Sequence, residues 1–349
     1  MEWVKTQTNA PYNLANSGVK NYPLSELPVD FHSLALCGPG QYGYPPLKQA
    51  IADRYGVALE SVVTAQGTSM ANYLAMATVL EPGDEVLVER PGYPLLWESA
   101  EFAGAQVKFF ARHAEDGFAV DLLEIKRSLT SATRLIVLTN LHNPSCALLD
   151  ANTLAQIGSL AQSTGGRVLV DEVYLELLFD QTPETSFKLG PEFIVTSSLT
   201  KVYGLSGLRC GWVFAEPRLA YDMYRLNDLF GVNNPYVTDQ ISSVAFANLD
   251  HIGRWSRALL EKNRALANEF IASTPQLECE PVKVGTVIFP RLPVRVGEFC
   301  RQLRERFGTV VTPGHFFGAS DRVRIGIGGE TAIVAEGLTR IHDALRSIT

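Results

Sequence analysis

Cysteine is scarce and scattered in this sequence. The five cysteines among 349 residues (Cys37, Cys146, Cys210, Cys279 and Cys300) are odd in number and include no Cys-x-x-Cys. That argues against a disulfide framework or a zinc site and for a reducing compartment. Long apolar runs are missing too: none approaches the ~18 residues of a membrane helix. The N-terminal Met-Glu-Trp-Val-Lys-Thr lacks the basic-then-apolar layout of a signal peptide. Nor are there blocks of like charge. The formal net charge is −7, and basic stretches such as Arg301-Gln-Leu-Arg304-Glu-Arg306 are interleaved with acidic and apolar residues. Nucleic acid is therefore not an expected partner. These absences lead us to expect a soluble, cytoplasmic protein with no metal, no membrane and no nucleic acid.

What is present is ample apolar material. Hydrophobic residues make up 46% of the chain and charged residues 19%, enough for one large domain and a smaller one. From residue 60 onward short apolar runs alternate with helical patterns. Strands are expected at 62–65, 85–89, 107–110, 134–138, 168–171, 193–197 and 212–215. A helix over 69–80 carries Ala71, Leu74, Ala75 and Val79 on one face, and another begins at an Asp150 cap with Leu154, Ile157 and Ala161 inward. Apolar strands separated by helices predict an α/β fold with a mostly parallel sheet covered on both faces. Beyond Lys201 the rhythm changes. One or two long helices over 235–272, short strands near 285–289 and 323–327, and helices at 296–307 and 332–346 predict a smaller α+β domain. The expected division is 38–240 for the large domain, with 1–37 and 241–349 forming the small one.

The chemistry concentrates in Ser198-Leu-Thr-Lys201-Val-Tyr-Gly-Leu-Ser-Gly-Leu-Arg209. A lysine among small and apolar residues loses hydration, which lowers its pKa and suits it to attack a carbonyl and hold a Schiff base. Open parallel sheets bind ligands at the carboxyl ends of their strands, so residues just after strands carry most weight. Gln66-Gly67-Thr68-Ser69 opens a helix, where backbone N–H groups, the helix dipole and two hydroxyls can receive a phosphate. Asp171 ends a buried strand, where an uncompensated carboxylate is costly; a protonated pyridine nitrogen would satisfy it. Tyr174 and Asn143, in Asn140-Leu-His142-Asn143-Pro144, can reach the phenolic oxygen of such a ring. Tyr93, in Arg90-Pro-Gly-Tyr93-Pro94, can stack on it. In Asp321-Arg322-Val-Arg324-Ile, either arginine can clamp a substrate carboxylate, and spacing does not choose between them.

Serine three before the lysine, glycine three after and the arginine further on make the chain resemble the class I/II pyridoxal-phosphate-dependent aminotransferases of fold type I. The resemblance runs from about Tyr42 to Ile327. It implies that Lys201 holds pyridoxal 5'-phosphate as a Schiff base and shuttles the substrate's α-proton. Ser198, Arg209, Gly67, Thr68 and Ser69 would bind the phosphate, and Asp171 the pyridine nitrogen. Tyr174 and Asn143 would take the ring oxygen, Tyr93 the ring face, and Arg324 the α-carboxylate. Tyr42, which fits better than Tyr44, resembles a tyrosine that relatives extend toward the phosphate of a dimer partner, so a homodimer with active sites at the subunit interface is implied.

The implied substrates are an amino acid and a 2-oxo acid. No second arginine stands in Phe230-Gly-Val-Asn-Asn-Pro-Tyr236, where relatives that prefer dicarboxylates often carry one, so neutral or aromatic donors are expected. The family's Asn-Pro-Thr-Gly is Asn143-Pro144-Ser145-Cys146 here. The alternative reading is a lyase or decarboxylase on the same scaffold. A non-catalytic sensor behind a DNA-binding module is disfavoured by the short, weakly basic stretch 1–41.

Overall fold

A computed structural model of the chain describes residues 2–39 and 41–348. The described residues contain twelve strands. Seven of them, β2 (Val62–Gln66), β3 (Glu85–Arg90), β4 (Gln106–Ala111), β5 (Thr133–Thr139), β6 (Arg167–Asp171), β7 (Phe193–Ser198) and β8 (Cys210–Phe214), form one sheet. Its order is β2-β8-β7-β6-β5-β3-β4, parallel throughout except that β8 runs antiparallel to both neighbours. The expected mostly parallel, mixed α/β sheet is present.

Each strand feeds two cores by its period of two. Trp212 and Phe214 face one side of the sheet and Val213 the other; Ile136 and Leu138 likewise oppose Leu135 and Val137. On the first side pack α2 (Pro45–Tyr55) through Leu47 and Ile51, and α6 (Ala151–Gln162) through Leu154, Ile157 and Ala161. As expected, Asp150 caps α6 by accepting from the Thr153 N–H at 2.8 Å. The other side is covered by α3 (Gly67–Val79), α4 (Pro94–Phe102) and α7 (Pro217–Asn227). The helix expected from Ser69 starts two residues earlier, so Thr68 and Ser69 lie in its first turn rather than before it.

The long helical stretch is two helices, α8 (Tyr236–Ala247) and α9 (Leu249–Ser273). α9 joins two cores: Ile252 and Leu260 belong to the sheet's first face, while Ala267 and Phe270 enter a third core. That third core is closed by α10 (Val296–Phe307), α11 (Thr331–Ile348), β9 (Val287–Ile288) and β12 (Val323–Gly326). Between α10 and β12 lie β10 (Thr309–Val310) and β11 (Thr312–Pro313), the latter pairing antiparallel with β12.

The segment after β1 (Tyr12–Asn13) was legible in the sequence only as part of an N-terminal contribution, and it proves to be a strap. β1 pairs with β10, and the Gly326 N–H donates to the Leu14 carbonyl at 2.6 Å. Farther on, Val19 N–H donates to the Lys201 carbonyl at 2.9 Å and Tyr22 N–H to that of Gly204 at 3.0 Å. Residues 12–22 thus tie β10 and β12 to the lysine loop. The approach is close enough that a Cβ on Gly326 would collide with the Asn16 carbonyl. Gly326→Ala should therefore cost roughly 1–3 kcal/mol, as overpacking does, read as a lower denaturant midpoint; an unchanged midpoint would show that the strap is not held against β12.

Candidate active site

The carboxyl ends of β2, β5, β6 and β7 open on one cavity of about 270 Å³. At its rim the chain turns from β2 into α3 at Gly67, whose φ of +75° suits glycine. The Arg209 guanidinium lies across this turn, donating to the Gln66 carbonyl at 3.0 Å, so a Cβ on Gly67 would strike it. Helix starts leave backbone N–H groups without intrahelical partners, and here the first turn also offers Thr68 and Ser69. The Thr68 hydroxyl donates to Ser198 Oγ at 2.8 Å, linking the helix start to the end of β7. Arg209 itself sits at φ +51°, uncommon for a residue with a side chain.

Asp171, at the end of β6, is buried and accepts from Asn72 Nδ2 at 2.9 Å and from the Val173 N–H at 3.1 Å. Thr196 Oγ1 donates to Asn72 Oδ1, which turns the amide's N–H toward Asp171. Burial outweighs these bonds and the nearby Lys201, raising the carboxyl to about 6. Lys201 keeps some exposure, but its amine is enclosed. Burial, reinforced by Arg324 and Arg209 and opposed by Asp171, lowers it to about 8. No ion pair to Lys201 is formed among the described residues; its amine donates to Ser17 Oγ at 3.1 Å.

Arg324 is 6% exposed and donates to Asn143 Oδ1 at 3.0 Å and the Ala15 carbonyl at 3.2 Å. Its Nε is buried with no hydrogen-bond partner among the described residues. Arg322 does not line the cavity; it donates to the Phe289 carbonyl and lies against the rings of Phe118 and Phe289. Behind Asn143 stands a brace: its N–H donates to Thr139 Oγ1, Thr139 donates to Glu89, and Glu89 pairs with Arg112 at 2.7 Å with both side chains wholly buried. Three cations therefore face the cavity, Lys201 and Arg324 with their charged groups enclosed and Arg209 at the exposed rim, and among the described residues Asp171 is the only carboxylate lining it. An excess of enclosed positive charge, with one guanidinium nitrogen unpaired, calls for anionic ligands. A phosphorylated pyridine aldehyde together with a carboxylate-bearing substrate fits this donor set.

Of the residues expected from sequence, Thr68, Ser69 and Tyr93 reach the cavity from helix starts. Asn143, Asp171, Ser198 and Lys201 reach it from strand ends and the loops after them. Tyr174, Arg209 and Arg324 complete it. Gly67 lies beneath Arg209 rather than on the wall. Tyr42 does not line the cavity of its own chain: its hydroxyl donates to Asp228 Oδ2 at 2.9 Å and accepts from Arg225. Sequence reasoning missed Ser17 and Asn72. Asn72 left a readable trace, a lone amide beside Ala71, Leu74 and Ala75 in an apolar helix, which needs a buried partner. Ser17 left none.

The model of the family "Aminotransferase class I and II" matches residues 16–341. The capreomycidine synthase of Streptomyces vinaceus is 29% identical, over 99% of this chain and 92% of that protein. The arginine–pyruvate transaminase of Pseudomonas aeruginosa is also 29% identical, over 82% of this chain and 76% of its own length. Among solved structures, a PLP-dependent aminotransferase from Streptococcus suis superposes with a TM-score of 0.93 at 27% identity, covering 100% of this chain and 97% of that one.

A carboxyl raised from its ordinary 3.8 to about 6 stays protonated in the folded chain while the unfolded chain ionises, so stability falls as pH rises from about 4 to about 6. In protein stripped of ligand, Asp171→Asn should remove that part of the decline, roughly 2–3 kcal/mol. Denaturant midpoints across this range with the same slope in both proteins would contradict the assignment of Asp171.

Proposed function

The chain belongs to the class I and II aminotransferases, a pyridoxal-phosphate-dependent family of fold type I, and we propose that Lys201 is its cofactor-bearing lysine and the base that moves the substrate's α-proton. The observation that carries this reading is the Lys201 amine: enclosed, in no ion pair among the described residues and lowered to about 8, so that a useful fraction is neutral near pH 8. Aminotransferases of this kind pass the amino group of an amino acid to a 2-oxo acid. Bound in the cavity, pyridoxal phosphate supplies the electron-withdrawing ring that takes up the electrons of the broken Cα–H bond.

The chain's own groups do the rest. Thr68, Ser69, Ser198 and Arg209, with the N–H groups of the first turn of α3, hold the phosphate. Asp171, oriented by Asn72, holds the ring nitrogen protonated; a cation there brings the carboxyl back from its raised pKa. Asn143 and Tyr174 hold the ring oxygen, and Tyr93 covers the ring face. Arg324 takes the substrate carboxylate, which supplies the partner its Nε lacks. Fixing carboxylate and ring together aims the α-proton at Lys201 Nζ.

The outer wall includes Trp3, Val4, Pro94, Phe316 and Phe317, with Trp3 and Phe316 in ring contact at 5.5 Å. Apolar walls and a lone, already committed carboxylate favour a neutral or aromatic donor over a dicarboxylate or a guanidino acid. The division we propose is a large domain, 38–240, and a small one, 1–37 with 241–349 built on the third core, although Val19, Tyr22 and Leu27 and residues of α8 and early α9 (Ala245, Ile252, Leu260) pack on the sheet's first face.

A homodimer is the assembly we propose. Leu229 (77% exposed), Phe230 and Val232 form an apolar strip, and Phe230 meets Tyr73 of α3 ring to edge. Gly231, in the same strip, lies beside Gln66 at the phosphate end of the cavity. A second copy covering this strip could carry its own Tyr42 toward that end. Phe230→Asp should shift the protein from dimer toward monomer in sedimentation, and an unchanged mass would remove the strip from the interface.

One observation favours a second reaction on the same residues: the relative matching 99% of the chain is named a synthase. Ammonia or a β-substituent released without any 2-oxo acid acceptor would select an eliminating or cyclising enzyme; amino transfer dependent on the acceptor selects the reading above. In either case Lys201→Ala should lose the visible band of the loaded protein and its turnover. Arg324→Ala should weaken amino acid binding by roughly 1.5–3 kcal/mol, the worth of a charged hydrogen bond, and leave an amine without a carboxylate unaffected. Equal losses for the two substrates would remove Arg324 from the carboxylate site.

A further inference from the structure

Ser17 lies on the strap, 6% exposed, and one oxygen of its side chain serves two of the groups placed at the centre of the site. Its Oγ accepts from the Tyr174 hydroxyl at 2.7 Å and from Lys201 Nζ at 3.1 Å. The residue has little freedom to withdraw. Its carbonyl accepts from Thr286 Oγ1 at 2.8 Å, the Gly18 N–H donates to Asn16 Oδ1 at 3.1 Å, and the Val19 N–H is bound to the carbonyl of Lys201 itself. The hydroxyl is thus built into the cavity from the same strap that holds the lysine's backbone.

An enclosed ammonium that pairs with no carboxylate among the described residues needs an acceptor, and the serine oxygen is the one they offer it. We propose that Ser17 is a further catalytic residue: its hydroxyl holds the Lys201 amine in place whenever that amine is free, and links it to the Tyr174 phenol. This rests on the reading of Lys201 as the working base. When the amine is charged, Ser17 Oγ accepts its proton in a hydrogen bond. When it is neutral, the serine hydroxyl can donate to its lone pair while still accepting from Tyr174. The charged and titratable groups facing the amine are Arg324 of β12, Asp171 at the end of β6, Arg209 ahead of β8, and the phenols of Tyr174 and Tyr93. All of these remain when only the serine hydroxyl is removed.

A hydrogen bond to an ion is stronger than one to its neutral form, so losing Ser17 should make the lysine easier to deprotonate. The experiment follows pyridoxal phosphate uptake by stripped, full-length protein through its visible band, as a function of pH. Ser17→Ala should move the midpoint down by about one unit, with KM for the amino acid little changed and kcat reduced. Should the alanine variant not fold, Ser17→Thr and Ser17→Val make the same comparison at nearly equal volume: threonine should keep the wild-type midpoint and valine should shift it. Equal midpoints in the hydroxyl-bearing and hydroxyl-free variants would overturn the role of Ser17, because packing alone would then account for any change. Failure of the wild type to take up the cofactor at all would overturn the reading of the cavity, and the Ser17 role with it.

Discussion

Two cations, the amine of Lys201 and the guanidinium of Arg324, are enclosed in one cavity with Arg209 at its rim and, among the described residues, a single carboxylate, Asp171. Water would neutralise such an arrangement cheaply; a protein interior does not. The shift of Lys201 from 10.5 to about 8 corresponds to roughly 3 kcal/mol of disfavoured charge. That unfavourable state persists because the surrounding fold holds both groups rigidly, and it makes the cavity selective for anions and the amine reactive toward an aldehyde.

The rigidity has identifiable sources. Asp171 ends β6 and Lys201 stands in the loop just after β7, and the two strands pair in the middle of a seven-stranded sheet with apolar cores on both faces. Arg324 comes from β12, on the third core, and must be brought to them from outside. The strap over residues 12–22 does this by bonding to β10 and β12 at one end and to the lysine loop at the other. Even the ion pair between Glu89 and Arg112, out of reach of any ligand, acts on the cavity through Thr139 and the backbone of Asn143. A wholly buried pair contributes less to net stability than to fixing one arrangement.

The sequence displays the sheet because near-continuous apolar runs separated by helical patterns have few other solutions, and the ends of β3, β5, β6 and β7 lie within a residue of where the pattern puts them. It displays most of the cavity wall for a related reason: ligand groups on such sheets follow strand ends. What it conceals is contributed by tertiary approach. The choice between Arg322 and Arg324 depends on how β12 docks, not on alternation. Ser17 reaches Lys201 across 184 positions of chain through a segment without periodicity. Tyr42 can be recognised by its motif, yet in its own chain it is engaged with Asp228 and Arg225, away from the cavity. Local pattern carries the frame and the strand-end residues; contacts that close a site from a distant segment leave little local trace.

The central claim is that the Lys201 amine is dry enough to titrate near 8, so that a useful fraction is neutral close to physiological pH. The most direct check is an NMR titration of stripped protein with isotopically labelled lysine, the Lys201 signal being assigned by its absence from Lys201→Arg. A midpoint near 8, apart from the bulk of the lysines, is the predicted result. A midpoint at the ordinary 10.5 would contradict the account, because a solvated ammonium there has neither the electrostatics nor the reactivity ascribed to it.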